Sequence, residues 1–329
     1  MKTNPAKETS CCYRVQILRD SLSPSGNRLT TMEVTFPRFL LAQVNTHRVF
    51  SRNSASSRAI PTAKLLRQVL TSPYVPEEFG TNKPGMQAGP ALGGEGQACA
   101  RDEWLRARDR MVVQALRLVI GPAHVDHYVA VDAPDSETLL KFVELTEEQM
   151  RSGSMPDDFL GVHKQLANRL LEPFLWHTAI ITATEWSNFF ALRCHPDAQP
   201  EFQRIAKMMK AGYEQSVPSR CDWDQWHAPL VTEDEIHGDP YVQANLRKVS
   251  VARCARVSYL THYGVRDPEA DVRLHDRLAA DGHLSPFEHV ARPMTARESS
   301  ARPRSGNFRG WHQYRKDIPH EGDFSQMVK

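Results

Sequence analysis

The chain has 329 residues, with 41 Lys and Arg against 39 Asp and Glu, a formal net charge of +2. So small an excess gives no bulk electrostatic reason to bind nucleic acid or a membrane surface, and 40% hydrophobic with 24% charged residues is an ordinary globular composition. No apolar run approaches the roughly 20 residues that span a bilayer, and "MKTNPAKETSCC" lacks the apolar core of a signal peptide, so a cytoplasmic protein of one large domain or two is expected.

Taken in chain order, "LTTMEVTFPRFLLAQVNTHR" reads as a strand running into a helix, with Pro37 near the junction. A polar run follows over residues 47–58, and then "IPTAKLLRQVLTS", short and helical in pattern. The stretch from "PYVPEEFG" to "ALGGEGQ" is rich in Gly and Pro and reads as a long surface loop. Its GGEG is no phosphate loop, because no strand precedes it and no Lys-Ser/Thr follows. Apolar residues recur at helical spacing over 103–120 and again over 139–150. The segment from "VHKQLANRLLEP" to "WSNFFALR" starts helical, breaks at Pro173 and restarts, and "AQPEFQRIAKMMKAGYEQ" is a further amphipathic helix. Residues 222–239 turn acidic and aromatic without periodicity, which marks a loop or junction. A last block holds "VSVARCARVSYLTH", a helix over "DVRLHDRLAADG", "HLSPFEHVARPM" and a basic tail. The six cysteines include no CxxC pair, so neither a disulfide framework nor a metal site is expected.

The polar run "HRVFSRNSASSR" raises a chemical question. At the C-terminal end of a helix, Arg48 and Arg52 meet a favourable dipole. Ser and Asn side chains at alternating positions can bind phosphate oxygens, and Arg58 adds a bidentate fork. A solvated Ser/Arg-rich loop would have the same composition.

The spacing His47-Arg48-x-x-Ser51-x-Asn53-x-x-Ser56-x-Arg58 resembles the signature of the flavin-dependent thymidylate synthases, the ThyX family. Two positions depart from the family's pattern. Thr46 stands where Arg is usual, and Ser54 where Glu is usual. Other blocks add to the resemblance: "ANRLLEP" with Arg169 four residues before Pro173, "WSNFFALR" with Asn188 and Arg193, "AQPEFQRIA", "ARVSY" over 255–259 and "GHLSPFEH" over 282–289. The matching blocks cover about half the chain.

The resemblance implies an α+β fold, a central mixed or antiparallel sheet flanked by helices. Because ARVSY and SPFEH precede the signature in the usual members and follow it here, it also implies a circular permutation. Residues 1–329 would form one catalytic domain: 1–221 with the signature and helical blocks, 222–245 as the permutation linker, and 246–329 with the formerly N-terminal blocks and the tail. Such rearrangement is tolerable where termini lie close together at a surface.

In function the resemblance implies reductive methylation of dUMP at C5 to dTMP by a homotetramer. FAD would be the cofactor, with methylenetetrahydrofolate (the folate) and NADPH as co-substrates. Flavin would meet Thr46, His47, Arg48, Ser54, Asn188 and Ser285. The nucleotide would meet Gln43, Ser56, Ser57, Arg58, Arg169 and Arg193, with Arg193 as the catalytic cation beside N3 and O4 of the ring. The unrelated thymidylate synthases use a Cys followed by His as nucleophile, as in "RCHP", but Cys194 lacks the rest of that pattern and reads as a half-buried structural thiol. The tail, with Arg309, Trp311, Gln313 and Arg315, reads either as an extra wall of the site with Trp311 as a stacking platform, or as a solvated basic extension. Two other functions stay open: C5 methylation or hydroxymethylation of another pyrimidine nucleotide such as UMP, and an inactive flavin- or nucleic-acid-binding relative.

Overall fold

The computed structural model describes residues 12–130, 134–264, 266–319 and 321–323; the segment "MKTNPAKETSC" lies outside them. Five strands form the main sheet: β1 (Arg14–Leu22), β2 (Arg28–Pro37), β3 (Ser51–Ser54), β4 (Trp176–Ala183) and β5 (Ser219–Arg220), in the order β3-β4-β2-β1-β5. The β1–β5 pair is parallel and the β3–β4 pair antiparallel, so the sheet is mixed and the fold is α+β. β2 is rich in Thr, Val and Phe, residues that fill a pleated surface, and is buried along nearly its whole length. It stops at Pro37, where the chain has no N–H to give a ladder.

Two strands differ from the sequence expectation. The segment after Pro173 restarts as strand β4, not as helix, before the helix Ser187–Arg193 begins. Ser51–Ser54, expected as loop, pairs with β4, Ser51 opposite Thr182 and Ser54 opposite Ala179. The supposed loop before residue 103 also shortens, because the helix Gly94–Val119 starts inside GGEG.

Two compact units divide the chain. The first comprises Met1–Tyr13, Thr35–Phe39 and Ser57–His177. It is mainly helical, with helices Thr62–Thr71, Gly94–Val119, Pro122–Tyr128 and Ser136–Ser152. Leu65, Leu66, Val69 and Leu70 give the first of these one buried face. The block "NRLLEPF" is a 3-10 helix in which Asn168, Leu171 and Phe174 are buried, the three-residue period of that geometry.

The second unit comprises Arg14–Val34, Leu40–Ser56 and Thr178–Lys329. Its helix Pro200–Gln215 buries Phe202, Ile205, Ala206 and Met209 and lies on β1, where a side chain in place of Gly212 would come within 3.6 Å of Val15. Helix Leu246–Arg256 is buried from Val249 to Ala255. That run includes Arg253, which has no exposed surface and is bonded to Asp271 at 3.0 Å, Glu235 at 2.9 Å and the Leu230 carbonyl at 3.0 Å.

The tail corrects both readings made of it. After β6 (Ala291–Pro293) come the short strands β7 (Arg304–Ser305) and β8 (Phe308–Arg309) and then β9 (Trp311–Gln313), antiparallel to β6. Trp311 is fully buried against Leu29, Cys221 and Phe308, and its indole N–H donates to the Asn27 carbonyl at 3.1 Å. An indole so enclosed offers no open face for stacking, and the segment is core, not a solvated extension.

A row of buried hydroxyls crosses the same unit. His289 Nδ1 meets Thr182 Oγ1 at 2.7 Å, Thr182 meets Thr31 at 2.7 Å, Thr31 meets His227 Nε2 at 2.8 Å, and His227 Nδ1 meets Ser21 at 2.9 Å. Burial holds His289 near 3 and His227 well below its ordinary value, so both rings are neutral. Among the described residues, no helix is long and apolar enough to cross a membrane.

Candidate functional site

In the sheet unit, the signature begins in the turn after helix Leu41–Val44 and runs into edge strand β3. Arg52 donates to the carbonyls of Val44 at 3.2 Å and His47 at 2.9 Å, the cationic cap expected at the end of a helix. His47 is buried among Phe50, Phe189 and Phe202. Its Nε2 accepts a 2.9 Å hydrogen bond from Arg193 Nε. Burial, then the cations Arg193 and Arg52, lower His47 to about 4. The ring is therefore neutral at pH 7, and because Nε2 accepts, its proton sits on Nδ1.

Arg193 closes the helix Ser187–Arg193. Besides His47, it donates from Nη2 to Thr46 Oγ1 at 3.3 Å, and its guanidinium lies 4.6 Å from the centre of the Phe202 ring. Every one of these neighbours is uncharged, and among the described residues no carboxylate pairs with it. A half-buried cation is thus oriented by neutral groups while its charge stays uncompensated, an arrangement suited to an anionic ligand. Thr46, one of the two departures from the family pattern, also donates to the Gln43 carbonyl at 2.6 Å, and the Gln43 side chain donates to Gln199 at 2.5 Å.

The later blocks lie against β3. Asn53 donates to the Cys254 carbonyl at 2.7 Å, the Ser56 N–H donates to the Ser258 carbonyl at 3.0 Å, and Ser285 Oγ is 3.5 Å from Asn53 Oδ1. That last contact is at the outer limit of a hydrogen bond, so the exposed Ser285 hydroxyl can turn to another acceptor. Buried Ser51 accepts from Asn307 and from Gln313, each at 3.1 Å. Arg48 and Asn188 are exposed and Ser54 is half-buried. Of the tail, Gln313 thus reaches the signature strand, whereas Arg315 pairs with Glu288.

In the helical unit, Glu172 gathers three donors on one oxygen: Ser57 at 2.9 Å, Arg169 at 2.7 Å and Arg38 at 3.1 Å. Two guanidiniums and one carboxylate leave this cluster with a net positive charge. Asn168, fully buried, ties the Ser57 carbonyl at 2.6 Å and the Ile60 carbonyl at 3.1 Å, which fixes the turn carrying exposed Arg58. Arg38 also meets His177 Nδ1 at 2.8 Å; burial, then Arg38, lower that ring to about 3. Sequence reasoning did not single out Arg38, Asn168, Glu172 or His177. The three-residue spacing of Arg169 and Glu172 in "NRLLEP" was the one available signal for their pairing.

Cys194 is half-buried and burial raises its thiol above the ordinary range. A thiol held protonated is a poor nucleophile.

Among known proteins, the family model described as thymidylate synthase complementing protein (Thy1) matches residues 21–219. No curated protein matches the chain. A solved structure that resembles it is the UMP/dUMP methylase PolB from Streptomyces cacaoi, bound with 5-Br UMP, at 16% identity and a TM-score of 0.40, over 62% of this chain and 89% of that one.

Proposed function

From the premise that the chain belongs to the thymidylate synthase complementing protein family, we propose that it is a flavin-dependent enzyme that methylates C5 of dUMP. Methylenetetrahydrofolate would be the carbon donor and NADPH the reductant. The observation that carries this reading is Arg193, a half-buried guanidinium without a carboxylate partner, oriented by neutral His47 and Thr46. Carbon–carbon bond formation at C5 requires negative charge to accumulate on the uracil ring, and a fixed cation beside N3 and O4 stabilises that charge. The depressed basicity of His47 is part of the same device. As a neutral acceptor it orients Arg193 without neutralising it.

The donor set supports FAD: Arg48 offers a cation for a pyrophosphate, and Asn188 and Ser285 offer exposed polar groups with hydrogen-bonding capacity to spare. When bound, the flavin supplies the electron and hydride chemistry that no side chain provides. The phosphate of the nucleotide is assigned to Ser56, Ser57, Arg58 and Arg169, with Gln43, Thr46 and Ser54 as further ligand-facing positions. The hydrogen bonds that join residues 254–258 and 285 to β3 support the circular permutation, with 222–245 as its linker. The active form is proposed to be a homotetramer.

Thr46 favours a second reading of the substrate. A hydroxyl side chain stands where the family usually has an arginine and bonds Arg193 itself, a departure at a ligand-facing position that is compatible with UMP in place of dUMP. The test is to incubate purified protein with FAD, NADPH, methylenetetrahydrofolate and dUMP, UMP or dCMP, and to analyse products by mass spectrometry. A methyl gain on dUMP supports the first reading and on UMP the second. Protein that stays colourless with FAD and leaves every nucleotide unchanged overturns both.

A further inference from the structure

The sheet unit carries a cleft of about 620 Å³ at the β1–β5 edge, whose lining includes Arg19, Arg220, Asp224, Trp226, Glu233 and Arg247. That volume lies within the ordinary range for small-molecule sites. It shares no residue with the signature, and of its lining only Ser219 falls inside the segment matched by the family model.

Its chemistry is specific. The Arg247 guanidinium carbon lies 4.9 Å from the ring centres of both Trp226 and Tyr314. Both rings hold the guanidinium by cation–π contact, an attraction that pairs it with no carboxylate or carbonyl acceptor. Among the described residues, the side chains of Arg247 and Arg220 make no hydrogen bond and no ion pair. Arg19 is paired with Glu233, which leaves Asp224 as the remaining carboxylate of the lining against two arginines. The wall therefore carries net positive charge, with aromatic surface at Trp226 and amides at Gln225 and Gln243. Cys221 is buried and burial pushes its thiol up to about 11, so the cleft is equipped to bind, not to attack.

We propose that this cleft is a second ligand site, which takes a planar ring bearing an anionic group, the anion on Arg220 and Arg247 and the ring against Trp226. A nucleoside phosphate and an aromatic carboxylate share that chemistry. The proposal is independent of the role assigned to Arg193.

The test is equilibrium dialysis of the full chain against UMP, 4-aminobenzoylglutamate and uridine. Wild type should bind at least one of the two anions and bind uridine far more weakly. The equivalent bound at the cleft should weaken at least about tenfold in Arg247→Ala and in the charge-keeping Arg247→Lys; an equivalent that weakens in Arg58→Lys instead belongs to the signature site and does not count toward the cleft. Binding of UMP alone identifies a phosphate ligand, and of 4-aminobenzoylglutamate alone a carboxylate ligand. The proposal is overturned if neither anion binds, if uridine binds as tightly as the anion that does, or if an Arg220→Ala/Arg247→Ala protein with unchanged melting temperature retains wild-type affinity. Arg247→Lys keeps the side-chain stem and covers the case in which the double variant does not fold.

Discussion

Replacing Arg193 with Ala removes its charge and its contacts with His47, Thr46 and Phe202 at once, and three of these losses have separable magnitudes. The first is the uncompensated charge. Loss of one donor aimed at developing negative charge typically costs about 10²–10³ in turnover. The second is the bond to His47, whose loss leaves a buried Nε2 acceptor unpaired at about 1–3 kcal/mol of stability. The third is the packing of the guanidinium on Phe202, worth about 0.5–1 kcal/mol. The variant should therefore fold, be less stable by about 2–4 kcal/mol, and turn over dUMP at least about a hundredfold more slowly. His47 supplies an internal control. Removing Arg193 takes away one of the two cations that depress it, so its pKa should rise while burial still holds it below the ordinary value. Turnover measured by product mass, urea unfolding and the His47 titration followed by NMR read the three effects separately. Cys194→Ala, in the adjacent residue, should change turnover less than about threefold. If Cys194→Ala abolishes product and folded Arg193→Ala stays within threefold of wild type, the charge-stabilisation argument is wrong and a thiol nucleophile takes its place.

Four neutral buried imidazoles make acid stability a second test. His47 is held at about 4, His177 and His289 at about 3, and His227 well below 6.5. The unfolded chain takes up these protons below 6.5 and the folded chain resists, so stability is complete above that value and falls as pH drops, by up to about 5 kcal/mol per pH unit near pH 5. A urea midpoint that is flat between pH 6.5 and 5 contradicts the assignment. Arg253→Ala should cost about 3–5 kcal/mol in urea unfolding, because it strips a partner from fully buried Asp271; a loss under 1 kcal/mol would show that Arg256 alone satisfies that carboxylate. Arg58→Lys should weaken dUMP binding about tenfold by calorimetry on FAD-loaded protein, since lysine keeps charge but not the paired hydrogen bonds; unchanged affinity would move the phosphate elsewhere.

The parts legible in the sequence share a physical cause. The helices Thr62–Thr71 and Pro200–Gln215 each have one buried face, so their periodicity is visible. β4 is not legible as a strand because "WHTAIITA" is buried on both faces over most of its length and shows no sustained alternation of apolar and polar residues. The helix Gly94–Val119 hides its start behind glycines of low helix propensity. The signature residues stood out by spacing, but spacing says nothing of partners. That His47 holds Arg193, or that Glu172 gathers Ser57, Arg169 and Arg38, depends on pairs up to 146 residues apart, which only the fold brings together.

The hydroxyl row from Ser21 to His289 has one more property. Each threonine owns a single proton and each neutral ring a single N–H, so with every donor used inside the row only two arrangements satisfy all four bonds. In one, every proton points toward Ser21, and His289 Nε2 is left as a bare lone pair. In the other, every proton points toward His289, and Nε2 carries hydrogen. Nε2 itself is buried and has no partner among the described residues. The row thus behaves as a polarised wire with two polarities, and reversing any one bond reverses all of them. Whether His289 gives or receives a proton is written at Ser21, at the far end of the row, with one imidazole and two threonines between them.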